Sequence, residues 1–157
     1  MTRTGIVLVA STRAARGDYP DRSGPILVDF LRAQGVDTPD ARVVADVDID
    51  GAVDRALAEN PSVLLTSGGT GVTPDDRTVD VVAPLLDREL PGIVQAFYHR
   101  GSATVPTAVL SRAVAGVAGS TFVMTLPGST GGARDGSTVL EPILTHLLDQ
   151  LEGHHEH

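Results

Sequence analysis

Residues 63–71, Val-Leu-Leu-Thr-Ser-Gly-Gly-Thr-Gly, constrain the fold more than any other stretch. An apolar, branched run that stops abruptly in small residues reads as a strand buried on both faces, as in parallel sheets. Gly68, Gly69 and Gly71 then form a loop at its C-terminal end, where open α/β sheets build anion sites. Without side chains, these residues let backbone N–H groups come close to a phosphate. The loop lacks a lysine after its last glycine and does not have the G-x-G-x-x-G spacing, so it is neither a P-loop nor a dinucleotide fingerprint. A bare Gly-Gly-Thr-Gly turn serves backbone geometry as readily as ligand binding. The acidic pair Asp75-Asp76 that follows shifts the reading toward a phosphate-and-metal site.

Strand-then-helix units recur on both sides of this stretch. Residues 5–10 read as a first buried strand, followed by a loop punctuated by Gly17, Pro20 and Gly24. Ser23 is placed to cap a helix with Pro25 early in it, ending at Gly35. A second strand is expected over 41–47, then a helix over 51–59 capped by Asp48. Beyond the glycine loop, Thr78 caps a helix that Pro84 shortens or kinks. Pro91-Gly92 restarts the chain. Residues 113–118 and 120–126, parted at Gly119, suggest a hairpin. Residues 128–132 form a second glycine-rich turn, and one amphipathic helix is expected over 139–151. This order predicts an α/β fold of three layers, α/β/α, around a mostly parallel sheet with right-handed crossovers. It occupies one domain over 1–152, with 153–157 as a mobile tail whose His154, His155 and His157 have no scaffold to fix ligand geometry.

The bulk properties fit such a domain. The chain has 157 residues, 41% of them hydrophobic, with 3% aromatic content and no Trp, so its core must be aliphatic. A net charge of −8 and the lack of any basic run argue against a nucleic-acid surface. With no Cys there is neither a disulfide framework nor a thiolate metal site. No apolar stretch is long enough to span a bilayer and no signal-peptide core follows Met1, so the expected location is the cytoplasm, off the membrane.

Ligands in parallel α/β sheets bind beyond the carboxyl ends of the strands. The loop from Ser11 to Gly24, Asp46, the loop from Gly68 to Asp76, and Gly128 to Gly132 would therefore share one rim. Asp46 alone reads as a solvated loop carboxylate. Asp75, Asp76 and Asp80 near a helix start are also favoured simply by the helix field. The functional reading is that one or two of these carboxylates hold Mg²⁺ against phosphate oxygens. Ser67, Thr70 and Ser129 either donate to phosphate or cap local backbone, and Tyr19 reads as a packing aromatic.

Taken together, several segments are similar to the molybdopterin adenylyltransferase (MogA/MoaB) family of molybdenum cofactor biosynthesis. They are Ser11-Thr12-Arg13, the G-x-Y-x-D-x-x-G run from Gly17 to Gly24, Thr66 to Gly71 with its acidic loop to Asp76, and Asp87 to Gly92. Leu110-Ser111-Arg112, Gly116 to Gly119 and Leu126-Pro127-Gly128-Ser129 complete the set. The chain departs from the family pattern at Thr78-Val79-Asp80, where Thr-Pro-acidic is usual, and at Thr12, where some relatives carry Asp. The resemblance implies a trimeric three-layer domain that transfers AMP from Mg-ATP to the terminal phosphate of molybdopterin. By position it implies that Asp46 and Asp76 are the catalytic, metal-associated pair. It further implies that Ser11, Arg13, Ser67, Gly68, Gly69, Thr70, Gly71, Asp80, Gly128 and Ser129 bind substrate. ATP and molybdopterin are the implied ligands, Mg²⁺ the implied cofactor, and a molybdate-inserting enzyme the implied downstream partner. A non-catalytic molybdopterin-binding protein and a trimeric scaffold are the rival readings.

Overall fold

In the computed structural model, which describes residues 2–153, four parallel strands carry the architecture. These are β1 (Gly5–Ala10), β2 (Arg42–Val44), β3 (Val63–Ser67) and, later in the chain, β6 (Thr121–Leu126). Two short strands, β4 (Arg88–Glu89) and β5 (Ala115–Ala118), extend the sheet at one side, giving the order β2-β1-β3-β6-β5-β4. The β5–β6 pair is the expected antiparallel hairpin, turning at Gly119 with φ +62°. The sheet is thus mostly parallel, with its antiparallel pairs confined to one side.

The helices are α1 (Thr12–Ala15), α2 (Ser23–Ala33), α3 (Ile49–Ala58), α4 (Thr78–Val82), α5 (Pro91–Ser102), α6 (Thr130–Leu140) and α7 (Leu144–Leu151). Alternation along the strands sends residues to opposite faces. Val7, Val9, Val63, Leu65, Phe122 and Met124 pack with Leu27 and Leu31 of α2, Phe97 of α5, and Leu140, Leu144 and Leu148 of α6 and α7. Ile6, Leu8, Leu64 and Val123 pack on the other face with Ile49, Val53 and Ala56 of α3 and Val82 of α4. Every residue of β1, β3 and β6 is buried, as strands covered on both faces require. No helix among the described residues is long and apolar enough to cross a membrane.

Several local expectations are corrected. β2 ends at Val44, because Asp46–Asp48 coils into a 3-10 turn, and α3 begins at Ile49 rather than 51. Ser23 is the first residue of α2, and the Asp21 carboxylate takes the Ser23 and Gly24 N–H groups instead. Thr78 likewise lies inside α4, and Asp48 makes no side-chain cap bond. The expected helix over 139–151 is two helices, parted at 141–143 where Pro142 cannot continue the ladder. Its first half, α6, runs back to Thr130 through Gly131, Gly132 and Gly136, residues of poor helix propensity. Pro84 does end α4, which passes into a 3-10 turn at Ala83–Leu85. Residues 154–157, with the three tail histidines, lie outside the described residues.

Candidate active site

The register places Ala10, Val44, Ser67 and Leu126 at one edge of the sheet, so the loops after all four parallel strands emerge together. β1 feeds α2 on one face and β3 feeds α4 on the other, so the loops after β1 and β3 diverge and leave a crevice between them. A cleft of about 1450 Å³ opens there, lined from the β1 loop, Asp46, the glycine loop, and the turn after β6. It exceeds the roughly 300–1,000 Å³ usual for one small-molecule site.

The glycine loop sits at the centre. Gly68 has φ +97°, and a Cβ there would overlap the Ala10 carbonyl oxygen. Gly69 has φ +74°, and its Cβ would overlap the hydroxyl of Thr78. Both positions therefore demand glycine on two counts, handedness and space. The Gly68 N–H donates to the Leu126 carbonyl at 2.9 Å, tying this loop to the Gly128 turn. Ser129 caps α6 by accepting the Gly132 N–H at 3.0 Å while remaining on the cleft wall.

The two aspartates singled out by the resemblance reach the same cleft from separate loops, each pinned by one oxygen. Asp46 Oδ2 accepts from the Thr12 hydroxyl at 2.7 Å and the Thr12 N–H at 3.3 Å, and the Asp46 N–H donates back to the Thr12 Oγ1 at 3.1 Å. Thr12 thus supports Asp46 directly. Asp76 Oδ2 accepts from the Thr73 hydroxyl at 2.7 Å and N–H at 3.0 Å. Each carboxylate keeps its Oδ1 without a protein partner among the described residues. Two oriented, half-free carboxylates beside anion-binding backbone suit Mg²⁺, which takes one or two protein carboxylates and fills the rest with water and phosphate. No set of three or more His, Cys, Asp or Glu side chains able to hold a metal occurs among the described residues, so these offer no closed all-protein cage.

Ser11, Arg13, Gly68, Gly69, Thr70, Gly71, Gly128 and Ser129 all line the cleft, as do Asp46 and Asp76. Two other expected contacts lie elsewhere. Ser67 is fully buried behind the loop, its hydroxyl 2.8 Å from that of Ser23 and 3.3 Å from the Pro127 carbonyl, where it ties β3, α2 and β6 together. Asp80 does not line the cleft and pairs with Arg112 at 3.0 Å, a guanidinium that holds the Asp80 carboxyl below the usual carboxylate range.

Tyr19 is no packing aromatic. It is 44% exposed on the cleft wall, with the Arg13 guanidinium 5.2 Å from its ring centre and its hydroxyl 3.1 Å from Ser11 Oγ. Of the cleft arginines, Arg13 alone is singled out by the sequence. All 12 basic side chains are Arg. Arg3, Arg32, Arg42, Arg77, Arg100 and Arg112 form ion pairs with carboxylates. Of the others, Arg13, Arg16, Arg22 and Arg134 line the cleft. Four of the six arginines outside these ion pairs thus face the cleft, while Arg55 and Arg88 do not. Arg13, Arg16 and Arg22 share one loop, but Arg134 joins them only through the fold.

Residues 6–146 match the family model described as a probable molybdopterin binding domain. The chain is 39% identical over 149 residues to a molybdenum cofactor biosynthesis bifunctional protein of Chlorobaculum tepidum, covering 94% of this chain and 48% of that one. It therefore spans about half the length of such bifunctional relatives. Against molybdenum cofactor biosynthesis protein B of Staphylococcus aureus it is 34% identical over 158 residues, covering 96% of this chain and 94% of that one. The solved structure of the molybdopterin biosynthesis Mog protein from Mycobacterium ulcerans superposes with a TM-score of 0.90 at 40% identity, covering 98% of this chain and 99% of that one. With the family model spanning nearly the whole sheet and its cleft, the chain belongs to the molybdopterin-binding-domain family of MogA- and MoaB-type molybdenum cofactor biosynthesis proteins.

Proposed function

We propose that this chain transfers AMP from ATP to the terminal phosphate of molybdopterin. The observation that supports this best is the meeting, in one cleft, of two half-free carboxylates from separate loops with two glycine turns. An oxygen of the pterin's terminal phosphate attacks the α-phosphorus of ATP. As that P–O bond forms, the bond from the α-phosphorus to the oxygen bridging to the β-phosphorus breaks, and pyrophosphate leaves with that oxygen. The attacking oxygen is already ionised, so the chain needs no side-chain base. Its task is in-line positioning and charge neutralisation.

In this reading the N–H groups of Gly69–Gly71 and Gly128–Ser129 hold phosphate oxygens, and Arg13, Arg16, Arg22 and Arg134 offset the charge of two polyanions. Asp46 and Asp76 would hold Mg²⁺, which when bound would offset charge building on the α-phosphate. The active species is a cytoplasmic homotrimer that passes its product to a molybdate-inserting enzyme; sedimentation equilibrium at micromolar protein should give the trimer mass, and a stable monomer counts against it. The deciding experiment incubates the protein with molybdopterin, ATP labelled in the α-phosphate, and Mg²⁺. Adenylyl-molybdopterin and pyrophosphate should appear in equal amounts. Tight pterin binding without transfer would leave a pterin-binding protein, and neither result would leave a scaffold.

A further inference from the structure

We infer that Arg112 is the positioning residue that sets the segment carrying Asp76, and that Asp80 serves as its counter-ion. This rests on the adenylyl-transfer reading for its functional consequence, but not for its structural one. Residues 71–77 are surface backbone with no strand partner, and 72–75 are exposed. A loop so poor in buried apolar contacts needs another source of order. Arg112 supplies it from more than thirty residues away. Its N–H donates to the Thr70 carbonyl at 2.8 Å, its Nε to the Gly71 carbonyl at 2.9 Å, and its Nη2 to the Asp76 carbonyl at 2.9 Å. Nη1 and Nη2 then reach the two Asp80 oxygens at 3.0 and 3.2 Å. One residue thus grips the loop at its start, at the residue bearing the carboxylate, and at the helix that follows.

The anchor is itself held. Ser111 donates from its hydroxyl to Thr70 Oγ1 at 3.0 Å, and the Tyr98 hydroxyl of α5 donates to the Ser111 carbonyl. Burial holds that phenol above its ordinary range, so it stays a donor. Of the five guanidinium N–H groups, the four bonds described engage four, and Arg112 does not line the cleft. It is therefore a tie rather than a phosphate ligand. A lysine in its place would supply one point charge where a planar fork spans two carbonyls and a carboxylate.

The test compares wild type with R112A, R112K and D80N. Loss of an outer tie of this kind typically costs about 10- to 100-fold in activity or metal affinity. R112A should lower single-turnover AMP transfer by about that factor and raise the Mg²⁺ concentration needed for half-maximal rate, with the affinity for molybdopterin unchanged. R112K should fall between R112A and wild type, and D80N should show the same trend more weakly. Amide hydrogen exchange provides the second readout: the Thr73 and Asp76 N–H groups should exchange faster in R112A while β3 stays protected. Unchanged loop exchange in R112A would overturn the proposal, as would a rate loss that Mg²⁺ does not relieve. Should R112A fail to fold, D80N carries both readouts under the same criteria. If wild type transfers no AMP, the proposed reaction fails, and the exchange measurement alone decides whether Arg112 orders the loop.

Discussion

Replacing Asp76 with asparagine removes a charge and little else. The Asn oxygen can still accept from the Thr73 N–H and hydroxyl in the position that Asp76 Oδ2 holds now, at 3.0 and 2.7 Å. What weakens locally is the charge assistance of two hydrogen bonds at a half-exposed site, about 1 kcal/mol of loop stability. The global fold should barely respond, since no buried apolar contact changes. Chemistry is affected more. The free Oδ1 is the atom available to a metal, and with the Asn oxygen turned to Thr73 its place falls to the amide NH2, which cannot ligate Mg²⁺. Losing one electrostatic contact made chiefly in the transition state costs about a hundredfold or more, near 2.7 kcal/mol. Asp46→Asn should behave alike, because Thr12 pins its other oxygen as Thr73 pins that of Asp76. Asp75→Asn should be mild. Asp75 also lines the cleft, but none of its oxygens is held by a neighbour among the described residues, so it is not oriented in advance. Single-turnover AMP transfer at saturating Mg-ATP, with thermal melts as a control, checks all three. A dead Asp75→Asn beside a near-normal Asp76→Asn would refute the assignment.

Three further outcomes follow from the packing. Gly68→Ala combines a left-handed φ with overlap of the Ala10 carbonyl oxygen, so urea denaturation should show a loss of about 2–4 kcal/mol. Thr66 is fully buried in β3 with its hydroxyl unpartnered, so Thr66→Val, of equal shape, should raise stability by about 1 kcal/mol; a loss would mean that the hydroxyl is hydrogen-bonded in solution. The Asp80 carboxyl, depressed by Arg112, should titrate below the ordinary carboxylate range by NMR and return to it in R112A. Because its folded value is lowered, its contribution to stability is present above about pH 3.9, the unfolded value, and is lost as pH falls through the folded one.

The parallel core was legible along the chain because its signals are local. Val63 to Ser67 is apolar and branched, Gly68 and Gly69 end it, and a strand buried on both faces has few other ways to be written. The same holds for β1, for the β5–β6 hairpin around Gly119, and for the short α4 before Pro84. That the strand-end loops share one rim follows from parallel pairing alone, so Asp46, Asp76 and both glycine turns could be placed there in advance.

Tertiary contacts decided the rest. α6 is helical through three glycines because Gly136 lets it press on Leu126, where a Cβ would come within 2.7 Å of that side chain; intrinsic propensity points the other way. Ser67 and Asp80 carry the polar groups a phosphate site wants, but β3 directs Ser67 inward to Ser23 and α4 directs Asp80 to Arg112. Local pattern reports which face of its own element a residue occupies, not what another element brings to that face. The pairing of Asp46 with Thr12, the Arg112 tie, and the meeting of Arg134 with Arg13, Arg16 and Arg22 all join residues more than thirty positions apart. Periodicity carries no information at that range, and only the closed sheet brings such residues together.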